Sequence, residues 1–411
     1  MSQYSLTLLR KINHANRVNG IYVEIRTRQN LRIFMQKIQI NNLVRGATFF
    51  QHGGISIAYV FLPIMALALT NSVFEMGLIV ASFSFSEIIS QIYFGRHADK
   101  KGIRLKFIRI GFIGCAVAFT LHYFATNFEL LLLARVCAGA ASGIMVPSMI
   151  AYAYEANKEK KRAITVISFH ALGWFAGTAA AGIVNDVKLT FLISGVFFII
   201  GFLFTLKMPN NIQEKELEPG TTKNIIKKNK FLFASILLRH IGAASVWTIL
   251  PIMLMEKLGA ELYQISIVYV ANTLAAFIVM NLMASRIKIS NITKFKIGIG
   301  GTTFVFVGLA LITDWWMAMP FMALVGSTWA LLYIGGSFHL MENNPHTTST
   351  GIFGSTISIG GVAGPIVGGA IAFAFNYVSV IYFAIIMITV AFLISLKIKS
   401  EKKINADPIE P

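Results

Sequence analysis

Six ionisable side chains stand inside apolar stretches long enough to cross a bilayer: His52, Glu87, Arg135, His170, Arg239 and His240. Each is costly in hydrocarbon unless it is paired, hydrated or functional. Glu87 is the sole acidic residue deep in such a stretch. A carboxyl in a low-dielectric setting can exchange its proton with water on either side, so Glu87 is the candidate carrier of a coupling proton. Ser84, Ser86 and Ser90 beside it could instead satisfy it as a fixed polar group. His52, His170 and His240 are candidate proton relays or tuning groups. A donor role toward a neighbouring helix carbonyl would also account for each of them. Arg135 and Arg239 cannot release protons, which leaves binding of an anionic substrate or helix packing.

At ~1.5 Å per residue, Glu87, His170 and His240 lie ~10–13 Å from the nearer ends of their runs and His52 ~6 Å. Those four could share one layer, with Arg135 ~10 Å from the opposite end. No His, Cys, Asp or Glu set has metal-ligand spacing, so no metal and no cofactor is expected. A membrane-embedded enzyme would need clustered catalytic groups, which are not found in any run. No phosphate-binding Gly-Lys-Ser/Thr loop appears, which leaves direct coupling to ATP without support.

The elements that must position these residues are transmembrane helices. The 411-residue chain is 55% hydrophobic and only 13% charged, about half the charge of an ordinary soluble protein. Twelve runs read as spans: 48–70, 74–95, 105–125, 128–154, 163–184, 188–208, 231–256, 262–285, 293–313, 315–341, 349–374 and 378–398. Each is apolar all round and of membrane-crossing length. The ionisable groups fall on spans 1, 2, 4, 5 and 7, while spans 3, 6, 9 and 12 carry none centrally. The expected fold is all-α, a polytopic membrane protein of two pseudo-repeated six-helix bundles.

The net charge of +18 is placed on one side. Of the 36 Lys and Arg residues, 32 lie in the two tails or in the loops 96–109, 158–162, 207–230 and 286–296. Only Lys188 and Lys257 occupy the alternate loops. By the positive-inside rule both termini are cytoplasmic, and the partner of this charge is an anionic lipid leaflet, not nucleic acid. Cys115 and Cys137 lie within spans and form no disulfide framework. Residues 1–45 lack the apolar core of a signal peptide, and Met35 is an expected alternative start.

A shift of 188 residues lays Gln51-His52-Gly53-Gly54 on Arg239-His240-Ile241-Gly242 and Leu62-Pro63-Ile64-Met65 on Leu250-Pro251-Ile252-Met253. The same shift superposes Gly173 on Gly361 and Ile164 on Ile352. Such a repeat predicts a cytoplasmic tail (1–45), a first bundle (46–208), a linker (209–230), a second bundle (231–399) and a short tail (400–411). Parallel repeats of this type place a binding site at their interface.

Between spans 2 and 3 stands Gly95-Arg96-His97-Ala98-Asp99-Lys100-Lys101-Gly102-Ile103-Arg104. It resembles the loop signature of the major facilitator superfamily, and the resemblance covers the chain from about residue 46. It implies an inner gate in which Asp99 binds the N-terminus of span 11. In the same gate Arg104 pairs with Glu155, and Glu155 and Arg162 form an acidic–basic pair after span 4. Arg135 through Ala141 resembles the family's motif of Arg followed by small residues. Gly173 and Gly177 with Gly182 are similar to the glycine-rich fifth helix of proton-coupled antiporters, though Thr178 stands where that pattern has Pro. The full pattern falls instead in span 11, at Gly360, Gly364, Pro365 and Gly368. A helix-packing face explains these glycines equally.

The resemblance implies secondary transport of a small-molecule substrate by alternating access, proton-coupled and of the efflux type, by a monomer in the plasma membrane. A uniporter or symporter for a small polar metabolite is the alternative, ahead of an enzyme or a non-transporting sensor.

Overall fold

The computed structural model describes residues 20–101, 103–156, 160–210, 222–285, 289–342, 344 and 346–398. Among the described residues there are twelve long helices. They are α1 (Gly20–Thr70), α2 (Val73–Lys101), α3 (Arg104–Tyr123), α4 (Phe128–Ala156), α5 (Lys160–Val184) and α6 (Val187–Leu206), followed by α7 (Lys230–Glu256), α8 (Leu262–Ser285), α9 (Asn291–Leu309), α10 (Ala318–Glu342), α11 (His346–Ala374) and α12 (Tyr377–Leu396). A short helix, Thr222–Lys228, precedes α7. Over their described residues, eleven of the twelve are long and apolar enough to cross a membrane. The other is α5, whose side chains are described from Ser168 onward.

The helix limits follow the apolar runs, with one difference. The first span was expected from residue 48 behind a polar tail, yet α1 begins at Gly20, with its apolar part at Gln39–Thr70. No proline falls between Gly20 and Pro63, so nothing interrupts propagation of the helix out of the apolar segment. The other ends are set by local chemistry. Asp186, Ser290 and Asn376 accept from the backbone N–H three residues on, at 2.8, 3.1 and 2.9 Å, and so cap α6, α9 and α12. The α1–α2 and α7–α8 connections turn through left-handed residues, Asn71 (φ 54°) and Gly259 (φ 65°). Asn and Gly are the residues that tolerate this region best.

Helix α1 packs against α5 and α6, α2 against α4, and α3 against α4 and α6. Likewise α7 packs against α11 and α12, α8 against α10, and α9 against α10 and α12. The two groups meet where α2 lies on α11 and α5 lies on α8. Helices α3, α6, α9 and α12 turn apolar stripes outward: Ile110, Ile113 and Val117 on α3, and Tyr382, Ile386, Val390 and Leu393 on α12. Rows of exposed aliphatic groups at helical spacing suit hydrocarbon and would be a liability in water.

Close approach of these helices depends on glycine. A methyl group at Gly364 would fall 2.6 Å from Ala244 Cβ and 2.7 Å from the Ile241 carbonyl, and one at Gly368 would fall 2.8 Å from the Ser245 carbonyl. These glycines seat α11 on α7. Gly177 does the same for α5 on α1, where its neighbours are Ser56 Oγ and the Gly53 carbonyl. The opposite face of α11 meets α2, with Pro365 beside Gly77 and Gly361 beside Ser84. Small residues at such crossings let backbones reach van der Waals contact.

Candidate functional site

Two polar regions lie in the interior. The first gathers on α2 and α4. Glu87 is half-buried, and its Oε1 accepts a 2.8 Å hydrogen bond from Ser142 Oγ of α4. Ser358 of α11 lies near enough to act on the same carboxyl. The sequence had offered Ser84, Ser86 and Ser90 as partners on the same helix. Ser86 instead returns its hydroxyl to the Ser82 and Phe83 carbonyls, both at 3.0 Å. Glu87 therefore stands on a helix that packs within its own group on α4 and across the seam on α11.

Arg135 enters this region from α4. It is buried, its Cζ sits 4.5 Å from the centroid of the Phe83 ring, and its Nε has no hydrogen-bond partner. A guanidinium on an aromatic face in a desolvated place is worth ~2 kcal/mol. Arg135 acts on Glu87 and on Tyr59 of α1 as a nearby charge, while the direct partner of the carboxyl is a serine. Depth counted along the backbone puts Arg135 and Glu87 on opposite sides of the midplane, and the two act on each other through space.

The second region runs through α1, α5, α10 and α7. His52 and His170 stack face to face, with ring centroids 3.6 Å apart and planes 7° from parallel. The contact is possible because Gly173 lets α5 approach Phe49, Gly53 and His52 of α1. His170 continues to Tyr333 at 6.4 Å, Tyr333 to Trp329 at 5.4 Å, and Trp329 to His240 at 5.7 Å. Arg239 is 1% exposed and places its Cζ 5.1 Å from the Trp329 ring, with Nε and Nη2 unpartnered.

The four groups expected in one layer, Glu87 and three histidines, do not form one contact set. His52 meets His170, His240 meets Trp329 and the Cβ position of Gly360, and no histidine is among the groups acting on Glu87. The repeat-related His52 and His240 are not paired with each other.

Of the gate residues, Arg104 is buried at the start of α3. Gly102 lies outside the described residues, and for Gly95, Asp99, Glu155 and Arg162 the description extends only to the helical backbone. Nearby, two residues beyond the apolar part of α4, Tyr152 donates to the Pro209 carbonyl at 3.0 Å. Burial holds its phenol above the usual value, so the hydroxyl keeps its proton as a donor.

Three participants were not singled out from the sequence: Ser142, Ser358 and His122. The serines are inconspicuous among many, and only tertiary placement selects them. His122 near the end of α3 is fully buried, stacked 4.9 Å from Phe191, with Nδ1 2.8 Å from the Ala118 carbonyl. It was visible as an ionisable residue within span 3.

Among the described residues no three His, Cys, Asp or Glu side chains gather as a metal site. The free cysteines Cys115 and Cys137 are separate.

Comparison with known proteins places this geometry. The quinolone resistance protein NorA of Staphylococcus aureus (strain COL) is 24% identical over 351 residues, covering 81% of this chain and 89% of that protein. Multidrug resistance protein 2 of Bacillus subtilis (strain 168) is 22% identical over 339 residues, covering 77% and 84%. Among solved structures, the human organic anion transporter MFSD10 (TETRAN) superposes with a TM-score of 0.70 at 11% identity, over 87% of this chain and 99% of that one. The nucleoside transporter NupG superposes at 0.67 and 15% identity, over 88% and 100%. The model of the Major Facilitator Superfamily matches residues 46–350. This chain is a multi-pass membrane protein and belongs to the Major Facilitator Superfamily of transporters.

Proposed function

We propose that the chain is a proton-coupled secondary transporter that moves a small solute by alternating access, with Glu87 carrying the coupling proton. The observation that carries this reading is the position of the carboxyl. It is held by Ser142 on α4, and its own helix lies against α11 of the other six-helix group, with Gly361 beside Ser84 one turn away, so a change of protonation falls at the seam between the groups. Twelve crossings in two related bundles, 46–208 and 231–399 joined by 209–230, form the moving parts. The recurrence of helix pairings supports this, as do the left-handed turns at Asn71 and Gly259 and the in-helix Pro63 and Pro251, both pairs 188 residues apart. Repeats of this kind rock about a site at their interface.

Efflux is the direction favoured by similarity to the two resistance proteins. A proton symporter is the second reading, favoured by the uncompensated Arg135 charge beside Glu87. Cytoplasmic termini in the plasma membrane follow from the basic loops. In the same reading Gly95, Asp99, Gly102, Arg104, Glu155 and Arg162 form the inner gate. The packing glycines Gly173, Gly177, Gly360, Gly364 and Gly368, with Pro365, are the surfaces on which helices slide.

The test is flux into proteoliposomes under an imposed pH gradient, with a fluorescent quinolone as the first probe and nucleosides and naphthalenesulfonate as the others. The expected result is protein-dependent accumulation that disappears when an ionophore dissipates the gradient. Accumulation indifferent to the ionophore would remove proton coupling. Cysteines placed at Asn71, Lys188 and Asp314 should react with an impermeant reagent outside intact cells, and one at Thr222 should not. Labelling at Thr222 would invert the orientation.

A further inference from the structure

The interior carries more positive charge than its own carboxyl can balance. Among the described residues two arginines are buried in the central parts of the spans, Arg135 at 4% and Arg239 at 1% exposure, against one carboxyl there, Glu87. Both rest on an aromatic face and leave buried donors without an acceptor, Nε and Nη2 of Arg239 and Nε of Arg135. Arg135 differs in having a carboxyl nearby, Glu87, whose Oε1 is taken by Ser142. An unpaired guanidinium inside a membrane protein calls for an anion, since burying an uncompensated charge costs several kcal/mol and its planar fork matches carboxylate, sulfonate or phosphate groups. The surroundings are flat and apolar. Tyr59 lies beside Arg135, Trp174 is 5.4 Å from Tyr59 edge to face, and Phe83 is below.

We propose that the cargo is a small organic anion with a flat apolar body, its acidic group seated on Arg135 beside a protonated Glu87. The proposal rests on the proton-symporter reading above and departs from the efflux direction. A second anion next to an ionised Glu87 is repelled, so cargo and proton bind together. The other titratable groups facing this place are Tyr59 of α1 and Cys115 and His122 of α3, while α4 and α11 contribute serines. None of those three is anionic in the neutral range, which leaves Glu87 as the source of pH dependence.

The experiment measures binding of 2-naphthalenesulfonate, a permanent anion, to the full chain in nanodiscs between pH 6 and pH 8. The neutral 2-naphthalenemethanol and the cationic 1-methylquinolinium serve as comparators, and the same three probes are used for flux. The sulfonate should bind at least about tenfold more tightly than either comparator, a preference that a charge-assisted bidentate pair readily supplies. Its affinity should rise as pH falls. Arg135→Gln should erase the preference and Arg135→Lys retain part of it. Glu87→Gln should bind tightly at every pH in the range. If the glutamine variant does not fold, the probe series on the wild type and the lysine variant still decide. Preference for the cation, or sulfonate binding unchanged in Arg135→Gln, overturns the proposal, and cation flux in that case leaves the transporter reading standing. Sulfonate binding that depends on Arg135 without flux of any probe keeps the anion site and removes transport.

Discussion

The two polar regions solve the same problem differently. Around Arg135 and Glu87, charges of opposite sign share a space without joining, and Ser142 holds the carboxyl. Along His52, His170, Tyr333, Trp329 and His240 the polar rings are absorbed by stacking, and the one full charge, Arg239, lies against an indole. The first arrangement holds a carboxyl, a group able to change protonation. The second gathers its rings into contacts each worth about 0.5–1.5 kcal/mol, yet leaves Nε and Nη2 of Arg239 and Nδ1 of His240 without partners. What separates the two is the carboxyl, and the proposed proton step goes with it.

The largest effect should come from Glu87→Gln, which keeps shape and hydrogen bonding but fixes a neutral side chain. Net accumulation driven by a pH gradient should fall at least about a hundredfold, the scale expected when a positioned proton carrier is lost. Exchange of substrate at equal pH should survive, because it needs no proton turnover. Concentrative uptake at the normal rate would send the proton elsewhere and erase the contrast between the regions.

This contrast was half legible in the sequence. Glu87 stands out because it is the one acid deep within the apolar runs, although serines beside it on the same helix offered a plain alternative. The helices were legible for the same reason, since long apolar runs bounded by basic loops permit few other readings. Pairing was not legible. The repeat makes His52 and His240 equivalents but names no neighbour for either, and His52 meets His170 because Gly173 brings α5 against α1 at that level. Ser142 and Ser358 carry no periodic or compositional mark, so nothing short of the packed helices selects them.

Breaking the shared support should cost less than removing the carboxyl but more than disturbing a ring. Helix α11 serves both regions, with Ser358 and Gly361 toward α2 and Gly360 and Gly364 toward α7. Gly364→Val would drive a branched side chain into Ala244 and the Ile241 carbonyl. Forced separation of this kind costs about 1–3 kcal/mol, so the melting temperature in detergent should drop by several degrees and transport of every probe should fall together. A selective loss of pH dependence would instead show that α11 acts on Glu87 alone.

The histidine stack separates rigidity from proton relay. Rings 3.6 Å apart and nearly parallel cannot both be charged without repulsion, so at least one stays neutral. His170→Phe keeps a flat ring between His52 and Tyr333 and should hold driven transport within about threefold, the loss being a fraction of one ring contact. Its pH optimum should shift by less than the change seen on losing Glu87. Complete loss in the phenylalanine variant, with normal thermal stability, would make the stack a relay.

The smallest effect is expected on the same helix, ten residues before Gly364. A methyl group at Gly354 would meet nothing within 4 Å, and the residue sits within α11. Gly354→Ala removes backbone freedom from the unfolded chain and adds no clash, so it should raise stability by about 0.4–1 kcal/mol. The comparison with Gly364 is internal: one helix, one residue type, opposite signs. Thermal unfolding of the two variants side by side measures it. If Gly354→Ala instead lowers stability or slows transport, another conformation of the carrier must bring a neighbour against that face. Alternating access would then extend the α11 crossing toward its N-terminal end, beyond the contacts Gly360, Gly364 and Gly368 make with α7.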